Sequence, residues 1–152
     1  MKKKTVLCMV LVAVVLLVTL AGCRQKTYSY SFTQGIDNIV CVEIRKYDYA
    51  TGATTPLVTL DESTALSLLE DISALDCYKQ FGDYPRDDYS DVVVYISYAN
   101  GAAEVIGIRN TARVDSEGKW WVSSYYFNDA AWCDVILKYI DSEIVPELDK
   151  YK

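Results

Sequence analysis

Val92-Val93-Val94-Tyr95-Ile96-Ser97-Tyr98-Ala99-Asn100-Gly101-Ala102-Ala103-Glu104-Val105-Ile106 decides the fold. Val92, Val94, Ile96 and Tyr98 alternate with Val93, Tyr95 and Ser97, the period-two pattern of a strand rich in β-branched and aromatic residues. Asn100-Gly101 follows, and this dipeptide suits the positive φ angles of a two-residue type I′ turn. A partner strand is therefore expected from Ala102 to about Ile108. Antiparallel hairpins are the unit of construction.

Toward the C-terminus, a turn at Asp115 to Gly118 separates a short segment ending at Val114 from Lys119 to Phe127. The latter holds Trp120, Trp121, Val122, Tyr125, Tyr126 and Phe127 and reads as one strand. Asn128 is an N-cap for a helix over Asp129 to Ile140, with Trp132, Val135, Ile136 and Tyr139 as its apolar stripe. Pro146 limits its continuation, and Ile144 to Lys152 reads as a short extension or a frayed tail.

Toward the N-terminus, Gln80 to Asp91 reads as a loop broken by Gly82 and Pro85. Before it, Asp61 caps a helix from Glu62 to about Asp76, with Ala65, Leu68, Leu69, Ile72 and Leu75 at helical spacing. Ile39 to Lys46 alternates, Val40, Val42 and Ile44 pointing one way, and Leu57 to Leu60 returns beside it. Pro56 suits an edge strand, where a missing N–H costs no ladder bond. The expectation is an α+β domain: one antiparallel sheet of about five to six strands, with two amphipathic helices packed on one face.

The first 23 residues follow other rules. Lys2, Lys3 and Lys4 precede an uncharged run from Thr5 to Gly22 with ten Val and Leu residues between Val6 and Val18. A basic cluster, an apolar run and small residues before a cleavage point make an export signal. Its end, Leu20-Ala21-Gly22-Cys23, resembles the lipobox of bacterial lipoprotein signal peptides. That resemblance implies removal of residues 1–22, a lipid on Cys23, and a chain anchored on the extracytoplasmic face of the cell membrane. Residues 23–35 then read as a flexible, polar tether and 36–152 as a single domain.

Without residues 1–22, the remaining 130 residues carry 12 basic against 21 acidic side chains, a net charge near −9. Such a surface excludes nucleic acid and an anionic bilayer as main partners. Cys41, Cys77 and Cys133 remain, at spacings that match no zinc or iron–sulfur pattern. The leading reading is buried thiols acting as small apolar residues; Cys77 just past the first helix and Cys133 in the first turn of the second suggest, as a further hypothesis, a disulfide between antiparallel helix ends.

Histidine is absent, which removes Ser-His and Cys-His nucleophiles and the usual catalytic zinc sites. Ser116-Glu117-Gly118-Lys119 spells S-x-x-K but falls across a turn and lacks partner motifs. Asp83, Asp87, Asp88 and Asp91 crowd one loop as a weak candidate hard-cation site whose spacing is not that of a calcium loop. No cofactor is expected. The 13 Tyr and three Trp are the remaining signal, and Trp120, Trp121, Tyr125 and Tyr126 form the candidate binding surface. The expected function is a non-catalytic binding domain for a surface protein or cell-wall glycan. An inhibitor or immunity-type protein acting on a secreted enzyme or toxin is the alternative, and a histidine-free hydrolase the third reading.

Overall fold

Strands 90–98 and 103–107 stand at the centre of a six-stranded antiparallel sheet. The structure, a computed structural model, describes residues 26–48, 51, 53–79, 90–108, 111–123, 125–145 and 148. In chain order the strands are β1 (Thr27–Ser29), β2 (Ile39–Asp48), β3 (Thr54–Thr59), β4 (Asp76–Lys79), β5 (Ser90–Tyr98), β6 (Ala103–Gly107), β7 (Thr111–Val114), β8 (Trp120–Ser123) and β9 (Tyr125–Phe127). The helices are α1 (Glu62–Ala74) and α2 (Asp129–Ile136), with a 3-10 turn at Ile36–Asn38. The large sheet runs β3-β2-β5-β6-β7-β8, and a small antiparallel sheet runs β1-β4-β9. This is an α+β fold.

One face of the large sheet offers Val42, Ile44, Val92, Val94, Ile96 and Ile106 to the core, and both helices cover it. From α1 come Ala65, Leu68, Leu69 and Ile72; from α2 come Trp132, Cys133, Val135 and Ile136. Cys77 and Phe127 of the small sheet enter the same core. Both N-caps act as expected: Asp61 accepts from the Thr64 N–H at 3.0 Å and Asn128 from the Ala131 N–H at 3.1 Å. Beyond α2, Lys138 Nζ and the Tyr139 hydroxyl donate to Asp71 of α1 at 2.9 and 2.8 Å, joining the helices at the surface.

Several expectations need correcting. The Asn100-Gly101 loop is not type I′: Gly101 alone has positive φ, +83°. Gly101 N–H donates to Tyr98 C=O at 3.0 Å and Tyr98 N–H to Ala102 C=O at 2.9 Å. That is a type I turn followed by a left-handed glycine, a three-residue loop over 99–101. The same device recurs at Ser116 to Gly118, where Gly118 has φ +81° and Asp115 bonds Lys119. Val40 leaves the buried row because a register irregularity falls between Ile39 and Cys41. Pro56 does occupy an edge strand, opposite Arg45 beside a second irregularity. Lys119 to Phe127 is not one strand: β8 belongs to the large sheet and β9 to the small one. The helices end early, at Ala74 and Ile136, and Asp76 to Lys79 becomes β4. At the C-terminus, Val145 and Leu148 are buried in the core.

The largest correction concerns the tether. Thr27–Ser29 is a strand paired with Asp76–Tyr78, and Tyr30 is buried. The ordered domain therefore begins about nine residues before Ile36, because the aromatic side chains Tyr28, Tyr30 and Phe32 find apolar partners that a polar composition hides. The signal segment and Cys23 lie outside the described residues, and among those residues no helix is long and apolar enough to cross a membrane.

Candidate functional site

A single row of directly opposed residues crosses five strands: Leu60 N–H meets Val42 C=O beyond the end of β3, then Val42 pairs with Ile96, Ile96 with Glu104, Glu104 with Arg113 and Arg113 with Trp121. Opposed residues share a face, so this row lies on the side that the helices cover. Its character changes along its length. It is apolar under the helices, ionic in β6 and β7, and aromatic and exposed in β8.

Glu104 is 0% exposed. A carboxylate in that position needs donors on both oxygens. The Tyr30 hydroxyl and Arg113 Nε (3.4 Å) donate to Oε1. The Tyr98 hydroxyl (2.7 Å) and the Thr33 N–H (3.0 Å) donate to Oε2. Arg113 Nη2 also donates to the Ser31 carbonyl at 3.1 Å. Residues 30–33 thus lie over β6 and β7 as a strap, fastened by one buried carboxylate. Burial raises the Tyr30 and Tyr98 phenols far above 10.0, and the Glu104 charge adds to the rise. Burial likewise raises Tyr139 to about 12, with its bond to Asp71 contributing.

These shifts fix a sign. A phenol whose folded value is raised stabilises the fold fully below its unfolded value near 10, and the contribution is lost as pH rises above it. Stability is therefore expected to fall steeply from pH 10 upward, with Tyr30 and Tyr98 ionising only as the fold opens. A phenolate absorbance titration alongside circular dichroism checks this. Ionisation of every tyrosine near pH 10 with the fold intact would refute it.

Beside the strap lies a cleft of about 470 Å³, bounded by Thr33 and Gln34, the 99–101 turn, Arg113 and Trp121. Its size is that of a small-molecule site. Trp121 is 55% exposed, yet its ring is held. Lys119 Nζ sits 4.2 Å from the ring centroid, and the indole lies near Asp115, whose carboxyl it helps to lower. Asp115 itself accepts from the N–H groups of Lys119 (2.9 Å) and Glu117 (3.0 Å). Those bonds, the Lys119 one foremost, hold its carboxyl below the usual carboxylate range. Ser116 to Lys119 is thus the turn that braces Trp121, not a nucleophile motif.

The other sequence candidates disperse. Trp120 pairs through its main chain with Val114, and nothing of its side chain is described. Tyr125 meets Tyr28 edge-on at 6.1 Å, and Tyr126 stacks on Tyr78 at 5.4 Å, both in the small sheet. The four aromatics therefore do not make one platform, because the chain changes sheets between Ser123 and Tyr125. Trp121 lies on the helix side of the sheet and is exposed because β8 is its far edge.

Asp83, Asp87 and Asp88 lie outside the described residues. Asp91 pairs through its main chain with Tyr47. Among the described residues no cluster of three acidic or cysteine side chains is placed to hold a metal. The hypothesised Cys77–Cys133 bridge is not formed; Cys41, Cys77 and Cys133 are all thiols, and Cys77 and Cys133 are buried. Cys77 lies on β4 rather than at a helix end, and its Sγ donates to the Tyr28 carbonyl at 3.0 Å, while burial pushes the thiol up.

Sequence reasoning missed Glu104, Arg113, Tyr30, Tyr98 and Thr33 as a group. The available signal was Glu104 itself, a lone carboxylate within the apolar run Ala102 to Ile108. Comparison with known proteins returns no matching family model, no matching curated protein and no matching solved structure.

Proposed function

We propose that the chain is a lipid-anchored, extracytoplasmic, non-catalytic binding module, and that its ligand sits in the cleft at Trp121. The observation that carries this reading is an indole that is more than half exposed yet steadied by Lys119 over its ring, at the edge of a cleft. A side chain fixed before contact loses little entropy on binding. The ionisable groups around it support a non-catalytic role. Glu104 is sealed under four donors, and Asp115 is engaged by its own turn. The anchor rests on Leu20-Ala21-Gly22-Cys23 and the basic and apolar segments before it.

Two measurements test the reading. Cys23→Ala is expected to abolish incorporation of labelled fatty acid; continued labelling of that variant refutes the anchor. A photo-crosslinking side chain at Ser116, which lines the cleft, is expected to trap a surface molecule in intact cells. The same group at Glu70, on the exposed side of α1, is not. Equal capture at the two positions, or none, refutes the binding role of the cleft.

A further inference from the structure

We infer that the cleft takes an uncharged saccharide, one sugar ring lying against Trp121. This rests on the cleft being the binding site. Three observations lead to it.

The first is charge balance. Two charged side chains of opposite sign line the cleft, Arg113 and Asp115, with Glu104 buried beneath Arg113 and Lys119 over the Trp121 ring. Arg113 is paired to Glu104, and Lys119 lies beside Asp115, whose carboxyl it helps to lower. No net field remains to attract an anion, and the domain around the cleft is near −9. A cationic ligand would find both carboxylates occupied.

The second is the kind of polar group presented. Arg113 spends Nε on Glu104 and one Nη2 hydrogen on Ser31, which fixes the guanidinium plane. Three N–H donors are left on a side chain that is 44% exposed. Gln34 and Asn100 line the same cleft. The Asn100 Oδ1 accepts from Ala102 N–H at 3.0 Å, which orients the amide and leaves its NH₂ as donor. Planar side chains with fixed orientation suit vicinal hydroxyls, which offer acceptors and donors about 2.8 Å apart from their partners.

The third is the platform. An exposed indole that lines the cleft and is steadied by Lys119 matches the apolar C–H face of a pyranose, and the flat, polar-edged ring of a sugar needs such a surface on one side and hydrogen-bond partners at its rim. A peptide would need an apolar pocket for its side chains, and of the aliphatic residues in the cleft Ala102, Ala103 and Val114 are small or half-covered.

The test uses the full chain in detergent and three probes: the β-linked tetramer of N-acetylglucosamine, the β-linked tetramer of glucose, and the latter oxidised at its primary hydroxyls to carboxylates. Calorimetric titration should show binding of at least one neutral tetramer, and weaker binding of the carboxylated one. Which neutral tetramer binds better separates an acetamido-bearing glycan from a bare one. Trp121→Ala should weaken that binding about tenfold, as loss of an aromatic contact does, and Trp121→Phe by less. The Trp121 ring is exposed, so folding is not at stake. Tighter binding of the carboxylated tetramer, or unchanged affinity in Trp121→Ala, overturns the assignment. If a crosslinker at Ser116 captures a protein while neither neutral tetramer binds, the saccharide falls and the binding cleft stands. If it captures nothing and no tetramer binds, both fall.

Discussion

Replacing Glu104 with alanine is expected to lower the free energy of unfolding by about 3–5 kcal/mol, the usual cost of removing one partner from a buried ion pair. The change leaves the Tyr30 and Tyr98 hydroxyls, the Thr33 N–H and Arg113 Nε without their acceptor. Each buried donor so orphaned costs about 1–3 kcal/mol, less where water can enter. Arg113, being 44% exposed, rehydrates; the two phenols do so only if the strap lifts. Since domains of this size are stable by about 5–15 kcal/mol, roughly a fifth or more of the total is at stake. Urea denaturation measures the loss. Hydrogen exchange at the Thr33 amide separates local from global effects, because that N–H should exchange fast in the variant even where the core stays protected. Glu104→Gln, which keeps the volume and one acceptor oxygen, is expected to cost less. An unchanged urea midpoint in Glu104→Ala would mean that the strap is not held by this carboxylate.

Phe127→Ala is expected to cost a similar amount, about 3–5 kcal/mol, for a different reason. The ring is 1% exposed and stacks on Trp132 at 5.1 Å with an interplanar angle of 26°. It also meets Tyr30 at 5.8 Å. Its main chain pairs with Cys77 in the small sheet, and its N–H donates to the Ile108 carbonyl at 2.9 Å, just past the end of β6. Phe127 is therefore where the two sheets, α2 and the strap meet, and truncation leaves a cavity that rigid sheets on two sides cannot close. Because both variants act on Tyr30, their costs should not add. The double mutant should deviate from the sum by about 0.5–3 kcal/mol. Trp121→Ala, in contrast, should stay within about 0.5 kcal/mol of the native stability, since its ring is more than half exposed. A loss at Trp121 as large as that at Phe127 would mark the indole as a packing residue.

What could be read in the chain, and what could not, comes down to particular residues. The N-caps Asp61 and Asn128 and the helical spacing of Leu68, Leu69 and Ile72 are local signals, and the structure follows them. The Glu104 cluster is not local. A two-residue loop at Asn100-Gly101 pairs Ala99 with Ala102 and sets Glu104 opposite Ser97, on the face away from the helices. The three-residue loop actually formed sets Glu104 opposite Ile96, on the helix side. One residue of register reverses the face of every side chain in β6, and no periodicity within β6 reveals which register is taken. The strap was hidden for a related reason. Residues 26–35 are polar by composition, and the strap's hydrogen bonds reach partners 71 to 82 residues away. In the site, Trp121 was legible as an aromatic on a strand; its separation from Tyr125 and Tyr126 was not, because β8 and β9 belong to different sheets and that change leaves no mark in the alternation.

The strap also sets a path for force. Thr33 and Gln34 form a wall of the cleft, and the same segment leads back to Cys23 through ten residues. With a lipid on Cys23, at most about 14 Å of extended chain separates the anchor from the first residue of β1. If the anchor and the cleft ligand are as proposed, a pull between ligand and bilayer would enter the domain through residues 27–34, where Tyr30 is part of the hydrophobic core. The first groups to meet that load would be the three paired residues of β1, the Tyr30 packing and the hydrogen bonds around Glu104. On that proposal those few contacts, rather than the six-stranded sheet, would set the tension the tethered domain withstands.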